Sequence, residues 1–190
     1  MSLGTILILG ICGVVLLYGV LVYNGLVNLK HNVAKAWSNI DVLLKQRHDE
    51  LPKLVEVCRQ YMAFEKDTLE RVISARSAVF AARDSGDLGR LGPAESALRQ
   101  GLGNLFALAE SYPELEADEQ FQHLRARITA LENAIADRRE LYNESVNLNN
   151  VRIEQFPDVV VARLFNFPAQ TLLAFTQEEI KDVDLRSLFT

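Results

Sequence analysis

The sequence predicts an all-α protein, one N-terminal transmembrane helix followed by a long-helix four-helix bundle. Three observations carry the prediction. Leu3 to Tyr23 contains no charged residue. Between Val33 and Phe80 the apolar residues Val33, Trp37, Ile40, Leu44, Leu51, Leu54, Cys58, Tyr61, Leu69, Val72 and Val79 keep the three-and-four spacing of one helix-packing seam. The same spacing returns in Phe121, Leu124, Ile128, Leu131, Ile135, Arg138, Tyr142, Val146, Asn149, Ile153 and Phe156, a run that Pro157 closes. An apolar stripe on a helix needs other helices to hide against, so the stripes imply a bundle.

The first element is the membrane span. At 1.5 Å per residue, Leu3 to Tyr23 covers about 30 Å, the thickness of a bilayer core. A cleaved signal peptide is the rival reading, but it would want Lys or Arg before the apolar run, a shorter apolar core and a small-residue cleavage site. Cys12 stands in Leu9-Gly10-Ile11-Cys12, a partial match to a lipoprotein cleavage box; Ile11 occupies the position that needs a small residue, and lipid-facing packing is the simpler reading. Lys30 and Lys35 follow the span and no basic side chain precedes it, which predicts an outside N-terminus and a cytoplasmic body.

From Leu26 to Arg47 nothing has the composition of a linker, so the span is expected to run into the first soluble helix. Asp49-Glu50-Leu51-Pro52 is the first interruption. Asp can cap a helix and proline is tolerated in a first turn, so a reversal is predicted here, with a second helix from Pro52 to Arg83. A kink is the alternative. It would leave one helix of about 75 Å, and the unbroken seam across Pro52 speaks for it. Gly and Pro cluster in Ser85 to Pro93, the best loop signal in the chain, and Pro93 starts a third helix to about Ser111. The fourth helix is Phe121 to Phe156. The predicted domains are thus an anchor over 1–29, a bundle over 30–156, and a capping segment with an acidic tail over 157–190.

The 190 residues carry a net charge of −5, with no basic run to gather phosphates, so nucleic acid is not an expected partner. His31, His48 and His123 are dispersed, whereas zinc sites want ligands clustered at helix spacing. No Gly-x-Ser-x-Gly elbow is present, and the Gly86 to Gly92 spacing lacks the strand and lysine of a phosphate loop, leaving a hinge or turn. No catalytic, cofactor or metal site is predicted, and the expected cofactor set is empty. Cys58, on the seam, reads as a small buried hydrophobe.

Polar residues within the seams are more informative: Arg47, Glu65 and Arg76 on the first run, Arg138 and Asn149 on the fourth helix. A charge in a seam is costly unless paired, so Arg76 or Arg138 should meet Glu65, Glu132 or another acid across the bundle. Such a set would fix helix register or form a polar groove for a partner; heads lying at a solvated rim are the alternative. Trp37 is expected in the core. The short segment Val159 to Phe167, with Val160, Leu164 and Phe165, is apolar enough to cap the bundle end or lie on a membrane surface, and capping is preferred. Left exposed, it becomes an interaction surface.

Several stretches resemble the LemA family: Tyr23-Asn24-Gly25-Leu26-Val27, Val33-Ala34-Lys35-Ala36-Trp37-Ser38-Asn39-Ile40-Asp41-Val42, Arg47-His48-Asp49-Glu50-Leu51-Pro52-Lys53-Leu54-Val55-Glu56, Arg139-Glu140-Leu141-Tyr142-Asn143-Glu144 and Gln155-Phe156-Pro157. The resemblance runs from about Leu3 to Phe175, with the Ser85 to Gly92 loop and the tail outside it. It implies a bacterial membrane protein anchored at its N-terminus, with a bundle of variant up-and-down topology, and so supports the reversal at Pro52. It carries no established enzymatic activity and no catalytic residue to transfer. The expectation is a non-enzymatic single-pass protein of the bacterial inner membrane, a scaffold or adaptor whose partners are the bilayer, further copies of itself and other membrane proteins. The alternative is a membrane-bound small-ligand binder or enzyme whose polar site lies inside the bundle, in a water-accessible cavity lined by Arg76, Glu65 and Arg138.

Overall fold

The computed structural model describes residues 3–174, and every regular element among them is a helix. In chain order these are α1 (Leu3–Tyr61), α2 (Lys66–Asp84), α3 (Leu88–Ala109), α4 (Pro113–Glu116), α5 (Glu119–Glu154) and α6 (Asp158–Leu164). The described residues fall into two compact units, 3–38 with 140–172 and 39–139 with 173–174. The predicted tail from Thr176 lies outside the described residues.

The expected reversal at Pro52 does not occur. Helix α1 runs through Pro52 and ends only at Tyr61, so the alternative, continuity of the seam, is the correct one. Proline has no N–H, and its place in a helix leaves the carbonyl four residues earlier without a partner. That carbonyl belongs to His48, and the Arg76 Nε of α2 donates to it at 3.0 Å. A side chain from the neighbouring helix thus replaces the missing backbone bond.

The true turn, between Tyr61 and Lys66, carries neither Gly nor Pro. Contacts distant in sequence hold it instead. The Tyr61 hydroxyl donates to Asp118 Oδ2 at 3.0 Å, and the Tyr112 hydroxyl donates to Glu65 Oε1 at 3.0 Å, just before α2 begins. Asp118 also accepts from the Phe121 backbone N–H at 2.8 Å, capping the start of α5.

The glycine-rich loop is shorter than predicted. Helix α2 stops where Gly86 adopts φ 66° and the Asp87 N–H returns to the Ala82 carbonyl at 3.1 Å, a left-handed cap suited to glycine. Asp87 then caps α3 by accepting from the Arg90 N–H at 3.1 Å. Gly89 and Gly92 are consequently helical. Gly92 has a packing role: a Cβ there would stand 2.3 Å from the Ala174 carbonyl oxygen, so only glycine lets the chain at Ala174 lie against α3. Helices α2 and α3 pack along each other, with Val72 against Gly101. The core of this unit includes Leu51, Leu54, Cys58, Val72, Leu98, Leu105, Phe121 and Ile128, all fully buried or nearly so.

In the other unit, no residue of α1 from Leu3 to Leu21 is buried; Val22 is the first that is. Val22 and Leu26 form a buried cluster with Ala162 of α6, joined by Ile153, Val161 and Phe167. The chain leaves α5, passes the cis Phe156–Pro157 bond and enters α6, where Asp158 is buried and ion-pairs with Arg152. Asn166, at φ 55°, ends α6 with the Phe167 N–H returning to the Ala162 carbonyl at 2.9 Å. Beyond it an extended strap lies on α5. Asn150 pairs with both backbone groups of Gln170, at 2.8 and 2.9 Å, and the Tyr142 hydroxyl donates to the Thr171 carbonyl at 2.9 Å. Trp37, expected in the core, is half-buried with its ring edge-on to Tyr142 at 5.8 Å.

Candidate functional site: a buried polar seam and an exposed apolar segment

The deepest charge among the described residues is Arg47, 1% exposed. It falls one turn beyond Leu44 and one before Leu51, on the buried stripe of α1. Its Nη2 donates to Glu95 Oε1 of α3 at 2.5 Å and its Nη1 to Glu132 Oε1 of α5 at 2.6 Å. Burial opposes the guanidinium charge more than any other single influence, but the two carboxylates together outweigh it and raise its pKa. The result is a cation between two acids that ties three helices at one level.

Arg76 and Glu65, the other seam residues of the first run, do not meet. Glu65 takes the Tyr112 hydroxyl, whereas Arg76 clamps His48, bonding its carbonyl through Nε and approaching its ring Nε2 at 2.7 Å through Nη2. A guanidinium can only donate, so that ring nitrogen is the unprotonated acceptor. The other side of the ring environment is Phe80, stacked at 4.6 Å. Burial first, and then the Arg76 charge, push the His48 pKa below its usual value. Next to this clamp a groove of about 220 Å³ runs between Pro52 and Val55 of α1 and Val72 and Arg76 of α2.

Arg138 is exposed, and the neighbouring Arg139 is the buried one. The expectation that Arg138 would meet an acid in the seam is therefore corrected. A straight α-helix repeats after five turns, or 18 residues, whereas a strict 3.5 spacing drifts away from that face. Eighteen residues beyond Phe121 is position 139. Asn149 does lie in the buried stripe, its Nδ2 donating to Asn150 Oδ1 at 3.2 Å, and so it orients the side chain that holds the strap. The Arg76, Glu65 and Arg138 set that would line a polar cavity is thus not assembled.

Two further residues escaped the sequence reading. Glu95, the closer partner of Arg47, lies two residues after Pro93 in a stretch read as the start of a helix, and only its helical spacing from Leu91 and Leu98 hints that it faces inward. Asp41 accepts a two-pronged bond from Arg83, Nε to Oδ1 at 2.5 Å and Nη2 to Oδ2 at 2.9 Å; that bond, more than any other influence, lowers the Asp41 pKa.

The Val159 to Phe167 segment buries only part of its apolar surface. Ala162 is buried and Val159 half-buried, while Val160, Leu164 and Phe165 remain exposed, as does Phe156 just before α6. Both cysteines are free, Cys12 exposed on the apolar run of α1 and Cys58 buried, where burial pushes its thiol up to about 12.

Among the described residues every regular element is a helix, and one of them, at the N-terminal end, is long and apolar enough to cross a membrane, which defines the class. Residues 36–186 match the model of the LemA family, and the chain belongs to that family. It is also similar to two magnetosome proteins of Paramagnetospirillum magneticum, MamQ 1 and MamQ 2, each 23% identical over 160 residues, 71% of this chain and 58% of the relative. The magnetosome protein MamQ of Magnetospirillum gryphiswaldense is 24% identical over 174 residues, 76% of this chain and 62% of that protein. The chain thus spans about three-fifths of the length of these relatives. Membership of this family, together with the apolar helix, fits a membrane-associated protein with a non-enzymatic role.

Proposed function

We propose that this chain is a single-pass protein of the bacterial inner membrane, with its helical body in the cytoplasm, that scaffolds or adapts other envelope proteins through helix-mediated self-association. The observation that carries the reading is α1: nineteen residues, Leu3 to Leu21, of which none is buried, continue without a break into a helix whose next turns are packed. In water such a surface is unstable. In lipid it is the solvated state. Lys30 and Lys35, exposed on the first turns beyond the span, support the cytoplasmic side. The long helices α1, α2, α3 and α5 are read as an up-and-down four-helix bundle of the variant topology.

The scaffolding role is supported by how the interior polar groups are used. Arg47, Glu95 and Glu132 bond one another, and Arg76 and His48 mend a helix, which are tasks of architecture. The relatives are named as magnetosome proteins, which supports a bacterial setting without specifying this chain's partner. Chemical cross-linking in native membranes, followed by detergent extraction of the full chain, tests the reading. The expected products are multiples of the monomer or stable adducts with other membrane proteins; monomer alone would count against it.

A further inference from the structure

We propose that α6 and the residues flanking it form a second membrane contact, an interfacial foot in which Phe156, Val160, Leu164 and Phe165 dip into the same leaflet that α1 leaves. The inference rests on the reading of α1 as a membrane span, and its first ground is axial position. Leu3 to Leu21, at 1.5 Å per residue, covers about 28 Å and fills the hydrocarbon core, so the lipid–water boundary falls near Val22 and Tyr23. Helix α6 is packed at that level: Ala162 is buried with Val22 and Leu26, and the Tyr23 ring meets Phe165 at 4.8 Å and Phe167 at 5.7 Å.

The second ground is what the segment leaves uncovered. Phe156 is 83% exposed, Val160 59%, Leu164 76% and Phe165 55%. Val160 and Leu164 are one helical turn apart, on the side of α6 opposite the buried Asp158 and Ala162, and Phe156 is uncovered in the turn just before the helix. Beside it an open cleft of about 360 Å³ is mixed in character, with Ile153, Val159, Ala162 and Phe167 on its apolar part and Glu154, Arg163 and Asn166 on its polar part. A patch of this kind at a bilayer boundary is covered by lipid as soon as the span is inserted.

The third ground is charge. Arg163, next to Leu164, is exposed and long enough to reach lipid phosphates while its neighbours enter the acyl region. Asp158 is neutralised by Arg152, and Lys30 is exposed one turn beyond Leu26. Glu154, at the end of α5, is the acid that must stay on the water side. Tyr23 with Phe165 and Phe167 supplies the aromatic surface suited to the headgroup level.

Spin labelling of the full chain in nanodiscs of phosphatidylcholine and phosphatidylglycerol tests the proposal. Cys12→Ser removes the exposed thiol, and Cys58, buried and with its thiol pushed up to about 12, is left in place as unreactive. Single labels are then placed through Leu164→Cys, Val15→Cys in the span and Arg90→Cys on the exposed side of α3, and the accessibility of each to oxygen and to an impermeant nickel chelate is compared. A several-fold higher oxygen-to-nickel ratio at 164 and 15 than at 90 is the expected result. Lipid-like values at 15 with water-like values at 164 overturn the foot while leaving the span intact. Shielding of 164 from both reagents means that protein covers it and also overturns the foot. Water-like values at 15 sink the span, and the foot with it.

Discussion

At the scale of single residues, the interior is organised by side chains that would be liabilities alone. Arg47 is stable where it is because Glu95 and Glu132 offset the loss of water around its charge. Arg47→Met leaves two acids facing each other in the core, and a loss of roughly 3 to 5 kcal/mol is expected, read by urea unfolding of the full chain in detergent. Adding Glu95→Leu and Glu132→Gln should recover most of that loss. His48 gives a pH-dependent counterpart. Its folded pKa lies below the unfolded value of about 6.5, so the neutral ring stabilises the fold fully above that value. The contribution is lost as the pH falls through the depressed folded value. Between about pH 7.5 and pH 5 the thermal midpoint should therefore fall more in the native chain than in His48→Phe, which keeps the Phe80 stack but cannot titrate. Arg47 and Asn149 were legible as seam positions because local spacing reports which way a helical residue faces. The partners of Arg47 were not, because Glu95 and Glu132 are 48 and 85 residues from it and no local pattern links them.

At the scale of elements, the instructive case is Pro52. Sequence alone weighs a proline at the full cost of a lost helix bond and predicts a reversal. The cost is offset by Arg76, which reaches the freed His48 carbonyl from another helix, 28 residues from His48 in sequence. This makes the two positions non-additive. Arg76→Ala should cost about 1 to 3 kcal/mol in the native chain and less in a Pro52→Ala background, where an N–H at position 52 can bond the His48 carbonyl. Equal costs in the two backgrounds, measured by denaturant unfolding, would contradict the repair. The Tyr61 to Lys66 turn shows the converse: its residues carry no breaker, and the tyrosine–carboxylate bonds that hold it depend on the placement of Tyr112 and Asp118. Gly86 was legible as a turn because its chemistry is local, whereas Gly89 and Gly92 were absorbed into α3, the latter for a contact with Ala174 that no spacing announces.

At the scale of the whole molecule, the uncovered run of α1 sets the expected setting and the flanking lysines its direction. With Ser85→Cys in a Cys12→Ser background, an impermeant maleimide should label the turn after α2 in inside-out inner-membrane vesicles and not in intact spheroplasts. The opposite pattern would reverse the orientation. Cys58 should stay unlabelled in both preparations until the chain is unfolded, since its thiol is buried and its pKa raised to about 12.

The sequence by itself determined the helical class, the apolar span, most of the buried stripes and the family, because each of these is written in local composition, in periodicity or in contiguous wording. Only the tertiary structure decided that α1 continues through Pro52, that Arg139 and not Arg138 turns inward, which acids meet Arg47, and that α6 seats against Val22 and Leu26. Those outcomes depend on groups brought together from distant parts of the chain, and the energy of a buried charge or an orphaned carbonyl is set by whichever partner arrives.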